Sequence, residues 1–203
     1  MVIDSYKDIT PLKDMVLVEI VNQEKINEDL ITTAQSDEMS VAVRYGKVLS
    51  LGSDVDLPEH CKGLKTEEIA AFTEFAGYFV VTKENMLLKL IRGYDIIGKC
   101  KTMKDIDKLK ITPTANRVLV EEYDMDTGSD LILTSVARDP RLADMFYGKI
   151  IDVGPSVKNK DLKVGIVVSY APYVGTTIRE KESDEVKPLK IIVEEDILLT
   201  VTI

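Results

Sequence analysis

The 203-residue chain is long enough for one mid-sized domain or two small ones, and its 45% hydrophobic content suffices to build a core. Its net charge of −9 argues against nucleic acid as a partner, and no apolar run approaches the roughly 18 residues of a membrane helix. One histidine and two cysteines are too few for a multi-histidine metal site or a disulfide framework. The first ten residues show no secretory signal pattern, so we expect a cytoplasmic protein.

In chain order, the predicted elements are short strands. Residues 15–18 form an apolar run that follows a proline, residues 46–52 form a strand between glycines, and residues 79–81 form another. The second half continues with runs at residues 117–120, 148–154, 166–170, 190–193 and 197–203. No window has a sustained helical period with caps. The pattern predicts an all-β fold, and a small closed barrel would remove the edges through which strands aggregate.

The sequence repeats itself at a nearly constant offset. Ile-Thr-Pro at residues 9–11 recurs at residues 111–113, an offset of 111 − 9 = 102. The same offset relates Val-Leu-Val-Glu at residues 16–19 to residues 118–121, and Tyr-Gly-Lys at residues 45–47 to residues 147–149. We therefore predict two copies of one domain, over residues 1–98 and 111–203, joined by a Lys-rich linker over residues 99–110.

Each copy contains one long polar segment with an apolar centre. The segments cover residues 22–40 and 124–144, longer than the 12–15 residues usual for a structureless loop. Their centres are Leu30, Ile31 and Thr32 in the first copy and Leu131, Ile132 and Leu133 in the second. Such a centre either docks into the groove of a partner or folds back onto its own barrel as a strand. Its presence in both copies favours docking.

The ordered set of motifs resembles the GroES-type co-chaperonins of the chaperonin-10 family, in a tandem two-domain form. Residues 9–18 are similar to the opening strand of that family, and residues 131–134 to the aliphatic anchor of its mobile loop. Residues 162–168 and 194–198 are similar to two later segments of the family. The resemblance covers nearly all of both copies.

The resemblance implies two tandem GroES-like small β-barrels, each with a long mobile loop, in a chain that assembles into a homo-oligomeric ring. It further implies that the ring is a lid on a GroEL-type, ATP-bound chaperonin and closes the folding chamber over a client protein. The chaperonin-binding residues would be Leu30, Ile31, Thr32, Leu131, Ile132 and Leu133. Neither catalysis nor a cofactor is implied, and the location would be the cytoplasm of a bacterial or phage-infected cell.

Two departures from the family pattern bear on this interpretation. The glycine pair that usually precedes the anchor is replaced by Glu28 and Asp29 in the first copy and by Ser129 and Asp130 in the second. The segments that would form the roof hairpin are short, at residues 53–63 and 155–161. This shortening is similar to viral co-chaperonins and leads to the hypothesis of a wider or more open dome.

Two alternative functions are compatible with a GroES-like barrel. One is a structural ring or virion component that has no chaperonin partner. The other is an enzyme of the zinc alcohol dehydrogenase kind, which needs a dinucleotide-binding domain and a Cys/His ligand set. His60 and Cys61 are adjacent and predict a surface loop, and Cys100 falls in the linker. The sequence therefore predicts no enzyme, metal site or cofactor.

Overall fold

A computed structural model describes residues 4–21, 43–82, 86–102, 104–105, 110–123, 145–171, 173–179 and 188–201. These residues form two compact units, Met1–Ala115 and Asn116–Ile203. Each unit contains one antiparallel sheet with its own hydrophobic core. The predicted all-β class is confirmed.

The first unit is built on a sheet with the strand order β4-β5-β1-β2-β3-β6-β7. The strands are β1 (Met15–Ile20), β2 (Val43–Leu51), β3 (Ile69–Thr73), β4 (Tyr78–Val80), β5 (Leu88–Arg92), β6 (Ile96–Cys100) and β7 (Thr112–Pro113). Short 3-10 turns occupy Tyr6–Asp8 and Gly93–Asp95. The first turn is closed by a capping box, in which the Ser5 side chain accepts from the backbone N–H of Lys7.

The second unit repeats this order as β11-β12-β8-β9-β10-β13, and none of its described residues forms a counterpart of β7. Its strands are β8 (Arg117–Glu122), β9 (Phe146–Val153), β10 (Val167–Tyr170), β11 (Thr176–Arg179), β12 (Leu189–Val193) and β13 (Ile197–Val201). A 3-10 turn occupies Glu194–Asp196. The repeated topology agrees with the repeat seen in the sequence.

The sheets differ from the expected closed barrel in one respect. Among the described residues, the ladder of the first sheet ends at β4 and β7, and that of the second at β11 and β13. Register shifts occur at equivalent places, between Leu17 and Val18 in β1 and between Leu119 and Val120 in β8. Such bulges increase the local twist of a strand pair. The units are barrel-like sheets whose hydrogen-bonded ladders stay open.

The Tyr-Gly-Lys motif of each copy has a packing explanation. A Cβ on Gly46 would lie 2.8 Å from Val18 Cγ2 and 3.2 Å from the Phe72 ring. A Cβ on Gly148 would lie 3.0 Å from Val120 Cβ and close to the ring of the buried Tyr170. Both glycines let the second strand of each unit approach the first while an aromatic ring packs against the same point.

The segment between the copies is more structured than a linker. Lys99 and Cys100 pair with β3, and β7 pairs with β6, so the first compact unit extends to Ala115. Burial, together with nearby carboxylates, raises the pKa of the Cys100 thiol to about 12. The division into barrels over residues 1–98 and 111–203 remains a prediction about the repeat. The second compact unit begins at Asn116.

The surface-loop prediction for residues 60–61 is wrong for Cys61. Its side chain is fully buried in the first core together with Val55 and Leu64. The backbone N–H of Cys61 donates to the Val55 carbonyl, which turns the thiol inward. Free cysteine packs as a small hydrophobic residue, so its burial needs no ligand.

Candidate functional site

The predicted chaperonin-binding residues lie outside the described residues. Leu30, Ile31 and Thr32 belong to the segment 22–42, and Leu131, Ile132 and Leu133 belong to the segment 124–144. Their role therefore stays a prediction from the sequence. The structure describes the strand ends that flank each segment. We call these ends the roots: Ile20, Val21, Tyr45 and Gly46 in the first unit, and Glu122, Tyr123, Tyr147 and Gly148 in the second.

The two segments leave their units at equivalent places. The first connects β1 to β2, and the second connects β8 to β9. The last ladder pairs are Ile20 with Gly46 and Glu122 with Gly148. Because the offset of 102 residues holds on both sides, the two segments have the same length. Each segment therefore connects two neighbouring antiparallel strands.

A backbone hydrogen bond beyond the last ladder pair joins the two strands of each root. The N–H of Val21 donates to the Tyr45 carbonyl at 3.0 Å, and the N–H of Tyr123 donates to the Tyr147 carbonyl at 2.9 Å. The Tyr45 side chain is buried, and desolvation raises its pKa to about 12. The roots are thus fixed at the same hydrogen-bonding position in both units.

The strand that follows each segment, β2 or β9, begins beside the turn after the neighbouring strand, β3 or β10. Val43 pairs with Thr73 at the end of β3, and Phe146 pairs with Tyr170 at the end of β10. In the first unit, Arg44 bridges to Glu74 in this turn at 2.7 Å. In the second, the Phe146 and Tyr170 rings stack with their centroids 6.2 Å apart.

One exposed aromatic side chain lies in each of these turns. Phe75 is 83% exposed and Tyr173 is 85% exposed. Gly77 and Gly175, each two residues further on, have similar positive φ angles of 73° and 77°, whereas Tyr173 has a positive φ of 65° and Phe75 does not. The root and an exposed ring therefore lie at the same end of each unit. No sequence pattern indicates this position for Phe75, because it depends on the register of β2 against β3.

A lysine supports this end of each unit from the next strand pair. Lys89 is buried, and its Nζ donates to the Glu74 carbonyl at 2.7 Å and to the Ala76 carbonyl at 2.8 Å. It also lies 4.8 Å from the centre of the Phe79 ring. Desolvation lowers the pKa of Lys89. The lysine closes the turn that carries Phe75.

Lys190 is the counterpart of Lys89 in the second unit. Its Nζ lies 5.4 Å from the Phe146 ring centre and 5.9 Å from that of Tyr170. Sequence reasoning missed both lysines. The sequence pattern that indicates them is a lysine at the same place in two apolar runs: Leu-Lys-Leu-Ile at residues 88–91 and Leu-Lys-Ile-Ile at residues 189–192.

Three searches of the described residues concern metal ligands, membrane-spanning helices and shifted pKa values. No group of three His, Cys, Asp or Glu side chains in this part of the chain could hold a metal ion. No helix within the described ranges is long and apolar enough to cross a membrane. The groups whose pKa is raised are Tyr45, Cys100, Tyr170 and the exposed Lys47, whose ammonium bonds Glu67. Burial accounts for the first three.

Comparison with known proteins gives one family match. Residues 110–201 match the model of the chaperonin 10 Kd subunit family. No curated protein matches the chain. The match covers nearly all of the second unit, including its root, and supports a chaperonin-10 type for that part and a co-chaperonin role in general. Residues 1–109 of the first unit lie outside the match, and the first unit is related to the second by its strand order and ladder register.

Proposed function

We propose that the protein is a co-chaperonin that forms a ring-shaped lid on a GroEL-type, ATP-bound chaperonin and closes its chamber over a client protein. The family match of the second unit supports the general role. The observation that carries the proposal is the equivalence of the two roots, which present two segments of equal length from the same ladder position. Each segment would dock through its aliphatic centre, Leu30 to Thr32 or Leu131 to Leu133.

The binding energetics favour weak contacts that act together. Burial of one aliphatic side chain yields about 1.5–3 kcal/mol, so two or three per segment yield roughly 3–9 kcal/mol. Ordering a segment on binding costs about 2–5 kcal/mol or more. Several linked segments gain on the order of 10²–10⁴ in avidity. A lid held by many weak contacts binds securely and still leaves in each cycle.

The reduced roof belongs to the same proposal. Residues 53–63 form consecutive turns, in which Val55 and Cys61 are buried and the Asp56 carboxylate accepts from the N–H of Gly63 at 2.7 Å. Residues 155–161 contain two short turns, with the N–H groups of Lys158 and Asn159 bonded to the Glu194 carboxylate. Both segments are short and are bonded within their own units. This arrangement supports a wider or more open dome of the phage-like kind.

The test is binding to a GroEL-type chaperonin in the presence of ATP or ADP. The whole protein should bind in a nucleotide-dependent manner, and Leu131→Asp or Ile132→Asp should weaken binding at least tenfold while circular dichroism remains unchanged. Val164→Asp is the matched control, since Val164 is an apolar residue 65% exposed on the same unit. It should bind normally.

Two results would contradict the proposal. If Leu131→Asp unfolded the protein, the aliphatic centre would be a strand of its own unit rather than an anchor. If the intact protein assembled but bound no chaperonin with either nucleotide, it would be a structural ring or virion component. Negative-stain images of the same samples would show the assembly and the capping together.

A further inference from the structure

The two units differ in the strand that follows the exposed turn. In the first unit this strand is β4, which ends the ladder among the described residues. Its Tyr78 and Phe79 and the following Val81 are 68%, 63% and 69% exposed. The second unit has Thr176 and Thr177 at the places of Tyr78 and Phe79, since each pair lies opposite equivalent residues of the next strand. The strand is therefore apolar in the first unit and polar in the second.

Neighbouring side chains extend this apolar surface. We call it the β4 strip, and its members are Phe75, Tyr78, Phe79, Val81 and Leu87, each at least half exposed. A hollow of about 360 Å³ is lined by Phe79 to Thr82, Met86 and Leu87. An apolar cavity of about 150 Å³ already holds a benzene molecule, so the hollow has room for aliphatic side chains. A contiguous exposed apolar patch of this kind marks an interaction surface.

The β4 strip is held in place by a buried lysine. Phe79 lies opposite Lys89 in the ladder, and the Lys89 Nζ is 4.8 Å from the centre of the Phe79 ring. The same Nζ donates to the carbonyls of Glu74 and Ala76, on either side of Phe75. One side chain therefore supports both the strand and the turn, and a surface that is formed in advance costs less to bind.

Both ends of the segment 22–42 adjoin the β4 strip. Where the segment begins, the N–H of Ile20 donates to the Leu87 carbonyl at 2.8 Å. Where it ends, Val43 pairs with Thr73, at the start of the turn that carries the exposed phenylalanine. The segment therefore leaves the first unit and returns to it beside this surface.

The segment is long enough to place its aliphatic centre on the strip. β4 is two strands from β1 in the sheet, which is about 10 Å. Leu30 is 30 − 20 = 10 residues beyond Ile20, and ten extended residues span up to about 33 Å. A partner tethered by a short linker acts at an effective concentration of about millimolar. Even a weak contact is then occupied.

We propose that Leu30 and Ile31 dock on the β4 strip of their own unit when no chaperonin is bound. The size of the strip favours this occupant over a second copy of the chain. Because aromatic side chains cover roughly 150–250 Å² each, the strip offers on the order of 600 Å², less than the roughly 800 Å² per partner of a stable complex. A tethered segment needs less area, because it has lost most of its translational freedom already.

The second segment lacks an equivalent place to dock, since β11 presents threonines where β4 presents rings. The inference deepens the proposed function and rests on it for its purpose. The second segment, with Leu131, Ile132 and Leu133, engages the chaperonin first, and the first segment engages after it leaves the strip. The two arms of one chain thus differ in their readiness to bind.

Tryptophan fluorescence tests the contact, because the chain contains no tryptophan. Phe79→Trp places a single indole on the strip, and its emission should lie at the short wavelength of a covered ring. Adding Ile31→Asp should shift the emission to longer wavelength, whereas adding Ile132→Asp should leave it unchanged. Thr177→Trp is the matched control in the second unit, and its emission should respond to neither aspartate.

Trypsin gives a second test that needs no indole. The segment 22–42 has one trypsin site, after Lys25, and the segment 124–144 has sites after Arg138 and Arg141. Cleavage follows the population in which a segment is undocked. Tyr78→Thr with Phe79→Thr, which gives β4 the threonines of β11, should accelerate cleavage after Lys25 about tenfold and leave cleavage after Arg141 unchanged.

Several results would overturn the inference. Emission of Phe79→Trp at the wavelength of an exposed indole, or emission that Ile31→Asp does not change, would show that the segment does not cover the strip. A dependence on protein concentration would assign the cover to a second copy. A shift seen only with added reduced, carboxymethylated α-lactalbumin would assign the strip to an unfolded client. Equal trypsin rates in the native chain and the threonine variant also overturn it.

These measurements contain no chaperonin. Their failure would remove the contact between the segment and the strip while nucleotide-dependent capping still stood. Loss of capping would leave that contact intact.

Discussion

The two units share a scaffold and differ at one edge of the sheet. Their strand orders match from β4 to β6 and from β11 to β13, and their bulges fall at equivalent places. β6 is covered by β7, whereas β13 ends its sheet among the described residues, with Leu198 and Leu199 exposed. The two units therefore share the packing of the core and differ in the partner of the last strand. In the first unit, β6 pairs with the opening segment of the second copy.

The largest expected effect concerns the two motif glycines. Gly46→Ala should destabilise the protein by about 2–3 kcal/mol, because the new methyl would lie 2.8–2.9 Å from Val18, whose β-branched side chain has little freedom. Gly148→Ala should cost about 1 kcal/mol, since its nearest contacts are 3.0–3.1 Å. Urea denaturation, with hydrogen exchange in β1 and β8 to identify the unit, measures both. Equal costs would show that the two cores respond alike.

The next effect concerns the two lysines. Lys89→Met should cost about 1–3 kcal/mol, because the carbonyls of Glu74 and Ala76 lose their buried donor. Lys190→Met should cost less than about 1 kcal/mol, since Lys190 is half-buried and its contacts are with aromatic faces. Thermal unfolding of both variants gives the comparison. A larger loss from Lys190→Met would contradict the structural role assigned to the Lys89 hydrogen bonds.

The smallest effect is a difference in alkaline stability. The folded pKa of Cys100 is raised from 9.0 to about 12, so its contribution is complete below pH 9 and is lost as the pH rises towards 12. The pKa values of Tyr45 and Tyr170 are raised from 10.0 to about 12, so their contributions to stability are lost over a narrower pH range. The first unit should therefore begin to lose stability at lower pH than the second.

The chain supplies a matched variant for this experiment. The place of Cys100 is taken by Val201 in the second unit, since Val201 pairs with Val167 as Cys100 pairs with Ile69. Cys100→Val should move the alkaline onset of the first unit from about pH 9 to about pH 10, where Tyr45 begins to act. Hydrogen exchange at β3 and β10 across pH 8–11 reports each unit separately. An unchanged onset would assign the alkaline loss to another group.

Sequence reasoning identified those features that local chemistry or repetition fixes. The constant offset gave the repeat, and the short β-branched runs gave the all-β class. Its placement of Cys61 on a surface loop was wrong, because that thiol is buried by turns and strands distant in sequence. The linker over residues 99–110 stays a prediction, although Cys100 is buried and pairs with Ile69. The anchors from Leu30 to Thr32 and Leu131 to Leu133 stay predictions.

The sequence by itself determined that this protein is a duplicated all-β chain with two long segments at equivalent positions, because repetition and strand periodicity are local patterns. Only the tertiary structure decided that the opening of the second copy is a strand of the first sheet, and that Lys89 closes the turn under Phe75. Strand partners and buried hydrogen bonds depend on contacts between residues far apart in sequence. No local pattern records which edge a two-residue strand will join.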